Sequence, residues 1–242
     1  AQPHVDAINA NGLRLTGAGE VHAHGIQATS DAAMVPPCDF GLVATKAMHT
    51  EAAIGTPKVE SAQRTLAALN PRVTVSAVPL RLDGSNVEAQ LRDADVVVDG
   101  ADNFPTRYLL SDACVQLRKP MVYGAVHRFE GQVSVFDAGR ARGVAPCYRC
   151  LFPQPPGADA APNCAEAGVL GVVPGLIGML QATEVVKLVL GLGTPLSGRL
   201  LHVDTLTMRF RETRLRPDPD CAVCAPGRAF PGYVDYQKFC AA

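Results

Sequence analysis

DADVVVDGADN, Asp93 to Asn103, holds a β-branched run, Val96-Val97-Val98, that stops at Asp99-Gly100-Ala101. A short apolar run closed by a turn signal is the mark of a buried parallel strand where it gives way to a helix. In open α/β sheets ligands sit outside the carboxyl ends of such strands. Asp102 would stand at that position. A carboxylate there suits a magnesium or nucleotide contact, or it caps the helix that begins near Pro105.

Reading outward, Val73 to Pro79 alternates like a strand, Val87 to Arg92 predicts a short helix, and Pro105 to Leu117 a longer one. Met121 to Val126 and Gly131 to Phe136 follow as strands. Thr56-Pro57 opens an earlier helix, with Thr as cap and Pro in the first turn. Val59, Ala62, Leu66 and Leu69 form its apolar face, and Asn70-Pro71 closes it. Lys58 lies off that face, free to meet a phosphate or water.

Asp137 to Leu170, rich in Pro, Gly and Ala, predicts a long irregular crossover. Val173 to Leu190 predicts a helix, Gly198 to Asp204 with Met208 to Leu215 an antiparallel pair, and Tyr233 to Cys240 a tail packing back on the body. The β-α-β alternation calls for an α/β fold, a Rossmann-like mixed sheet with helices on both faces.

Before this body, Ala7 to Gly12 reads as a helix end and Leu13 to Ile26 as a hairpin turning at Gly17-Ala18-Gly19. Asp39 to Thr45 reads as a strand, with Lys46 at its end where a cofactor phosphate would be met. His22 and His24 alternate onto one face of the hairpin and read as surface residues.

The chain has 242 residues, net charge −1 and 48% hydrophobic residues, enough for one substantial core. The balanced charge argues against nucleic acid and membrane surfaces as partners. The longest apolar segment, Val169 to Leu192, is interrupted by Pro174 and glycines and carries Glu184 and Lys187. It therefore reads as a buried helix of a soluble protein. Ala1 to Thr16 lacks the basic start and apolar block of a signal peptide. Beginning with Ala, the chain reads as a fragment or processed product.

Four of the eight cysteines form two C-x-x-C pairs, Cys147/Cys150 and Cys221/Cys224. Two such pairs match a four-thiolate zinc site with no open position, hence structural. Unrelated thiols or redox pairs are the other readings, and the usage indicates a reducing, cytoplasmic setting. Cys164, in a crossover before a helix, is either a nucleophile of lowered pKa or an ordinary thiol. Arg107 and Arg128 are candidates for anion contacts, Arg107 equally for an ion pair.

GTPKVESAQRTLAALNP, DVVVDGADNFPTRYLLSDAC, GAVHRFEGQVSVF, CYRC, CAVC and NCAEAGVLGVVPGLIGMLQATEVVKLVLG together resemble the MoeB/ThiF family of ubiquitin-activating-type adenylyltransferases, from about Gly55 to the end. That resemblance implies ATP-dependent adenylation of the carboxyl-terminal glycine of a ubiquitin-like sulfur-carrier protein ending in Gly-Gly. Lys58 would hold ATP phosphates, Asp102 magnesium, and Asn103 would lie beside the nucleotide. Cys147, Cys150, Cys221 and Cys224 would hold zinc, Cys164 would be the mobile cysteine that links to the carrier or handles sulfur, and a homodimer is expected.

AINANGLRL and CDFGLVATKAMHTEAAI resemble part of the nucleotide-binding domain of ketopantoate reductases, where Lys46 would look toward NADPH. The expected organisation is a reductase-like fragment, 1–54, and an adenylation domain, 55–242, whose amino-terminal Gly-rich phosphate loop is missing or replaced. A catalytically inactive zinc-stapled module that docks a carrier, and an NADPH-dependent reductase fragment, are the alternatives.

Overall fold

In the computed structural model, which describes residues 13–16, 20–23, 55–156 and 169–241, strands β1 (Leu13–Thr16) and β2 (Glu20–Ala23) pair antiparallel with Thr16 opposite Glu20. These are the two arms of the expected hairpin. Its turn, His24, the strand expected at Asp39 to Thr45, and Lys46 lie outside the described residues.

Helix α1 (Lys58–Leu69) starts where Pro57 stands at the cap position, its fixed φ leading into the first turn. Thr56 is not the cap, and no side chain caps this helix. Nor is its apolar stripe a core face. Ser61 is its buried residue, and Leu69 is 77% exposed. Residues 73–79 form no strand either. The alternation is present, but a strand needs a ladder partner, and among the described residues this segment has none. Val75 instead accepts a 2.6 Å bond from the Gln63 side chain.

Helix α2 (Val87–Leu91) leads into β3 (Val97–Asp99), α3 (Phe104–Gln116), β4 (Met121–His127) and β5 (Glu130–Phe136). A short helix α4 (Tyr148–Leu151) precedes the long α5 (Val172–Leu190), then β6 (Arg199–Asp204), β7 (Arg209–Arg214) and the terminal α6 (Tyr236–Ala241).

The five strands β3 to β7 lie side by side in chain order. The β3–β4 pair is parallel, as a crossover through α3 requires, and every later pair is antiparallel. The sheet is therefore mixed. Side chains alternate across β4 with the strand's period of two. Met121 and Tyr123 join a cluster with Tyr108, Leu109 and Leu110 of α3, and Val122 joins one with Val173 and Ile177 of α5. Helices thus cover both faces. Each valine fully buried in these layers contributes about 1.5–3 kcal/mol by leaving water.

Helix α5 is long and apolar enough to cross a membrane by length and composition. It packs on β4 and β5 along one stripe, Val173, Ile177, Gln181 and Glu184, at the three- and four-residue steps of a helix face. The expectation of a buried helix is corrected to a half-buried one, since Val172 and Met179 are 68% and 70% exposed on its other side. Gly191, at φ +64°, ends it in the left-handed region, where a Cβ would be penalised.

Candidate functional site

The carboxyl end of β3 is held by a buried ion pair. Asp99 has no exposure, and its carboxylate accepts from Arg107 Nε at 2.9 Å and from the Ala101 N–H at 2.9 Å. Arg107 Nη2 also donates to the Ala101 carbonyl at 2.6 Å, and its guanidinium lies 5.1 Å from the Tyr123 ring centre. Burial pushes the Asp99 carboxyl up, opposed by the guanidinium beside it. Burial acts to lower the Arg107 pKa, but the Asp99 charge overrides it and raises it. Arg107 is therefore committed to this pair, the second of its two expected roles.

The chain then turns outward. Asp102 and Asn103 are both exposed, and Asn103 rather than Asp102 caps α3, accepting the Thr106 N–H at 2.9 Å. Pro105 in the first turn has no N–H to leave unsatisfied. Among the described residues the Asp102 carboxylate is bonded by the Asn103 amide alone, at 3.3 Å, which leaves it exposed toward a cation. Asn103, Pro105 and Thr106 form one wall of a cleft of about 580 Å³. Residues 81–84 and 234–237 form the others. The positive end of the α3 dipole faces this region, an environment that favours anions.

Cys147, Cys150, Cys221 and Cys224 come together with their sulfurs all within 4.8 Å of one another. The close pairs are Cys150 to Cys224 at 3.3 Å, Cys147 to Cys221 at 3.6 Å and Cys147 to Cys150 at 3.8 Å. Tetrahedral zinc at the usual Zn–S length of about 2.3 Å would place sulfurs about 3.8 Å apart. The four thiols fit that ion. The Asp218 N–H donates to Cys150 Sγ at 3.3 Å, and hydrogen bonding from Cys147 holds the Cys150 thiol below its ordinary value.

Arg149, between the first two cysteines, reaches Asp112 of α3 with two parallel 2.9 Å bonds. Its guanidinium packs over Tyr108 and Phe239, 4.9 and 4.7 Å from their ring centres. Tyr236 donates to the same Asp112 carboxylate at 2.7 Å. The cysteine knuckle, α3 and the terminal α6 thereby share one buried polar junction.

A sequence profile of the ThiF family matches residues 43–223. The chain belongs to the ThiF family. It is 50% identical over 194 residues to a sulfur carrier protein adenylyltransferase of Thermus thermophilus, covering 80% of this chain and 72% of that one. A SAMP-activating enzyme E1 of Haloferax volcanii is 46% identical over 195 residues, covering 80% and 70%. Among solved structures, E. coli MccB superimposes with a TM-score of 0.61 at 18% identity, over 77% of this chain and 55% of that one, a likeness of fold.

Within this ThiF-family chain the structure brings Asn103 to the cleft and sets Asp102 beside it in an exposed turn. Lys58 is exposed at the first position of α1. Arg128 is the φ +50° residue of the β4–β5 turn, and its carbonyl accepts the Leu170 N–H. Cys164 lies outside the described residues. Two features escaped sequence reasoning: the tail 234–237 as a cleft wall, and Gln181, whose only signal is an amide on the buried stripe of an apolar helix.

Proposed function

We propose that the chain activates a ubiquitin-like sulfur-carrier protein by adenylating the carboxyl-terminal glycine of its Gly-Gly end. The observation that carries this reading is the cleft at the capped amino end of α3, with Asn103 on its wall and the exposed Asp102 carboxylate next to it in the chain. The naming of the relatives as sulfur-carrier and SAMP-activating enzymes supplies the substrate class.

In this reading the carrier's terminal carboxylate attacks the α-phosphorus of ATP. The bond to the β-phosphate bridging oxygen breaks, and pyrophosphate leaves with its electron pair. Asn103 contacts the nucleotide, and Lys58 pairs with the phosphates. Asp102 would hold magnesium, which offsets the charge that builds on the phosphate oxygens. The helix dipole of α3 adds to that offset.

The four cysteines would hold zinc as a structural ion, since four thiolates leave no open position. Cys164 would serve as the cysteine that takes up the carrier or its sulfur. By sequence resemblance, residues 1–54 would be a reductase-like fragment and 55–242 an adenylation domain, with the ThiF profile already beginning at residue 43. The enzyme works in the cytoplasm and as a homodimer.

The test is calorimetric titration with ATP and magnesium, with NADPH as comparator and Asp102→Ala as control, followed by carrier-dependent exchange of labelled pyrophosphate into ATP. Saturable ATP binding that Asp102→Ala abolishes, with exchange, is expected. No ATP binding would leave a zinc-stapled docking module, and NADPH binding alone would favour the reductase reading.

A further inference from the structure

Gln181 sits in the middle of α5, 8% exposed, and turns its side chain to the sheet rather than to another helix. Its Nε2 donates to the Asp99 carbonyl at 2.8 Å and to the Val122 carbonyl at 3.2 Å. Both partners are acceptors, so the end facing them is the amide nitrogen, which alone on this side chain has protons for both. Gly124 makes room for it. A Cβ there would lie 2.4 to 2.6 Å from the Gln181 amide atoms.

The bonds fall where the ladder ends. Asp99 opposite Tyr123 is the last β3–β4 pair, and β4 runs on to His127 without β3. Gln181 grips the β3 end from the α5 face. Arg107 of α3 holds the Asp99 carboxylate and the Ala101 carbonyl from the other face. Asp102 is the next residue.

We infer that Gln181 is a positioning residue: it fixes the carboxyl end of β3 so that Asp102 and Asn103 are held at the nucleotide cleft. The inference rests on the reading of that cleft given above. It also ties the long apolar helix to the carboxyl end of β3 through two amide hydrogen bonds.

Two variants from different elements test it, Gln181→Leu and Gly124→Ala, the second acting by displacing the Gln181 amide. Each is expected to weaken ATP binding in magnesium by about 10–100-fold, the range for residues that orient a ligand-binding group. The double variant should be no worse than either single one, because both remove the same interaction. Hydrogen exchange read against wild type should accelerate at the amides of residues 100–103 while those of α5 and β4 keep their protection.

Unchanged exchange at 100–103, or acceleration no larger than in α5, would overturn the inference. So would failure of both variants to fold, since Gln181 would then hold the sheet and not the loop. If wild type binds no ATP, the functional reading falls, while the exchange measurement still decides whether Gln181 positions the loop.

Discussion

Arg149 and Asp112 form a two-pronged ion pair, 2.9 Å on each arm, whose side chains are only 11% and 3% exposed. The pair lies between the cysteine knuckle and the helix whose amino end borders the cleft. Removing one partner strands the other charge in a poorly solvated place, a loss of about 3–5 kcal/mol for buried pairs. Asp112→Ala should therefore lower stability to urea by about that amount, and Tyr236 should lose its hydrogen bond. A change under about 1 kcal/mol would show that the pair is not important to stability.

With zinc held as proposed, loss of one of the four cysteines should be felt throughout the protein. Cys147→Ser is expected to abolish stoichiometric zinc in metal analysis of reduced protein and to lower the melting temperature. Proton competition sets the sign of the pH effect. Ligand thiols must be ionised to bind, so zinc should leave as pH falls, not as it rises. Purified wild-type protein free of zinc would contradict this.

At the cleft, stability and binding should separate. Asp102 is exposed and among the described residues bonds only the neighbouring amide, so Asp102→Ala should leave the urea midpoint unchanged and abolish ATP binding in magnesium. Asn103→Ala removes the α3 cap and should cost about 1 kcal/mol in addition to its effect on the nucleotide. A fall in stability for Asp102→Ala as large as that for Asn103→Ala would contradict the assigned roles.

His202 offers a pH test remote from the cleft. Burial, with Arg211 opposite it on β7, holds its pKa below the usual 6.5. The unfolded chain then binds the proton more readily than the folded one. Stability from this group is full above the unfolded value and is lost as pH falls below about 6.5. His202→Gln should flatten the stability profile over that acidic range, and an unaltered slope would refute the assignment.

Thiol labelling separates two cysteines. Cys114 is 2% exposed, and burial pushes its thiol well above the ordinary value. A Cys164 that takes up the carrier should react faster at neutral pH, and equal or slower labelling would return it to the ordinary thiols.

The sheet was legible because its signals are local. Val96 to Val98 is β-branched and ends at a turn, and β4 to β6 each alternate or run apolar between turn residues, with β7 legible as the return arm of β6. The cysteine pairs were legible because ligand spacing is local even when the pairs lie 74 residues apart. What could not be read depends on partners. The Val59 to Leu69 stripe has helical period, but burial requires a surface to pack on. Asp99 and Arg107, eight residues apart, meet because the chain reverses between strand and helix. Gln181 looks like an interruption of an apolar helix until the Asp99 and Val122 carbonyls are brought beneath it.

The sheet ends, among the described residues, at β7, whose six residues are all exposed. An outermost strand presents unpaired N–H and C=O groups to any other chain that can lie alongside it. Here that strand reads Arg209-Phe210-Arg211-Glu212-Thr213-Arg214, and Glu212 is tied back to Arg199 at 2.9 Å. Its three arginines put positive charge along that rim, one of the ways in which edge strands are kept from pairing with other chains. The outer strand of the described sheet thus carries charge where a flat apolar edge would invite another chain to add to it.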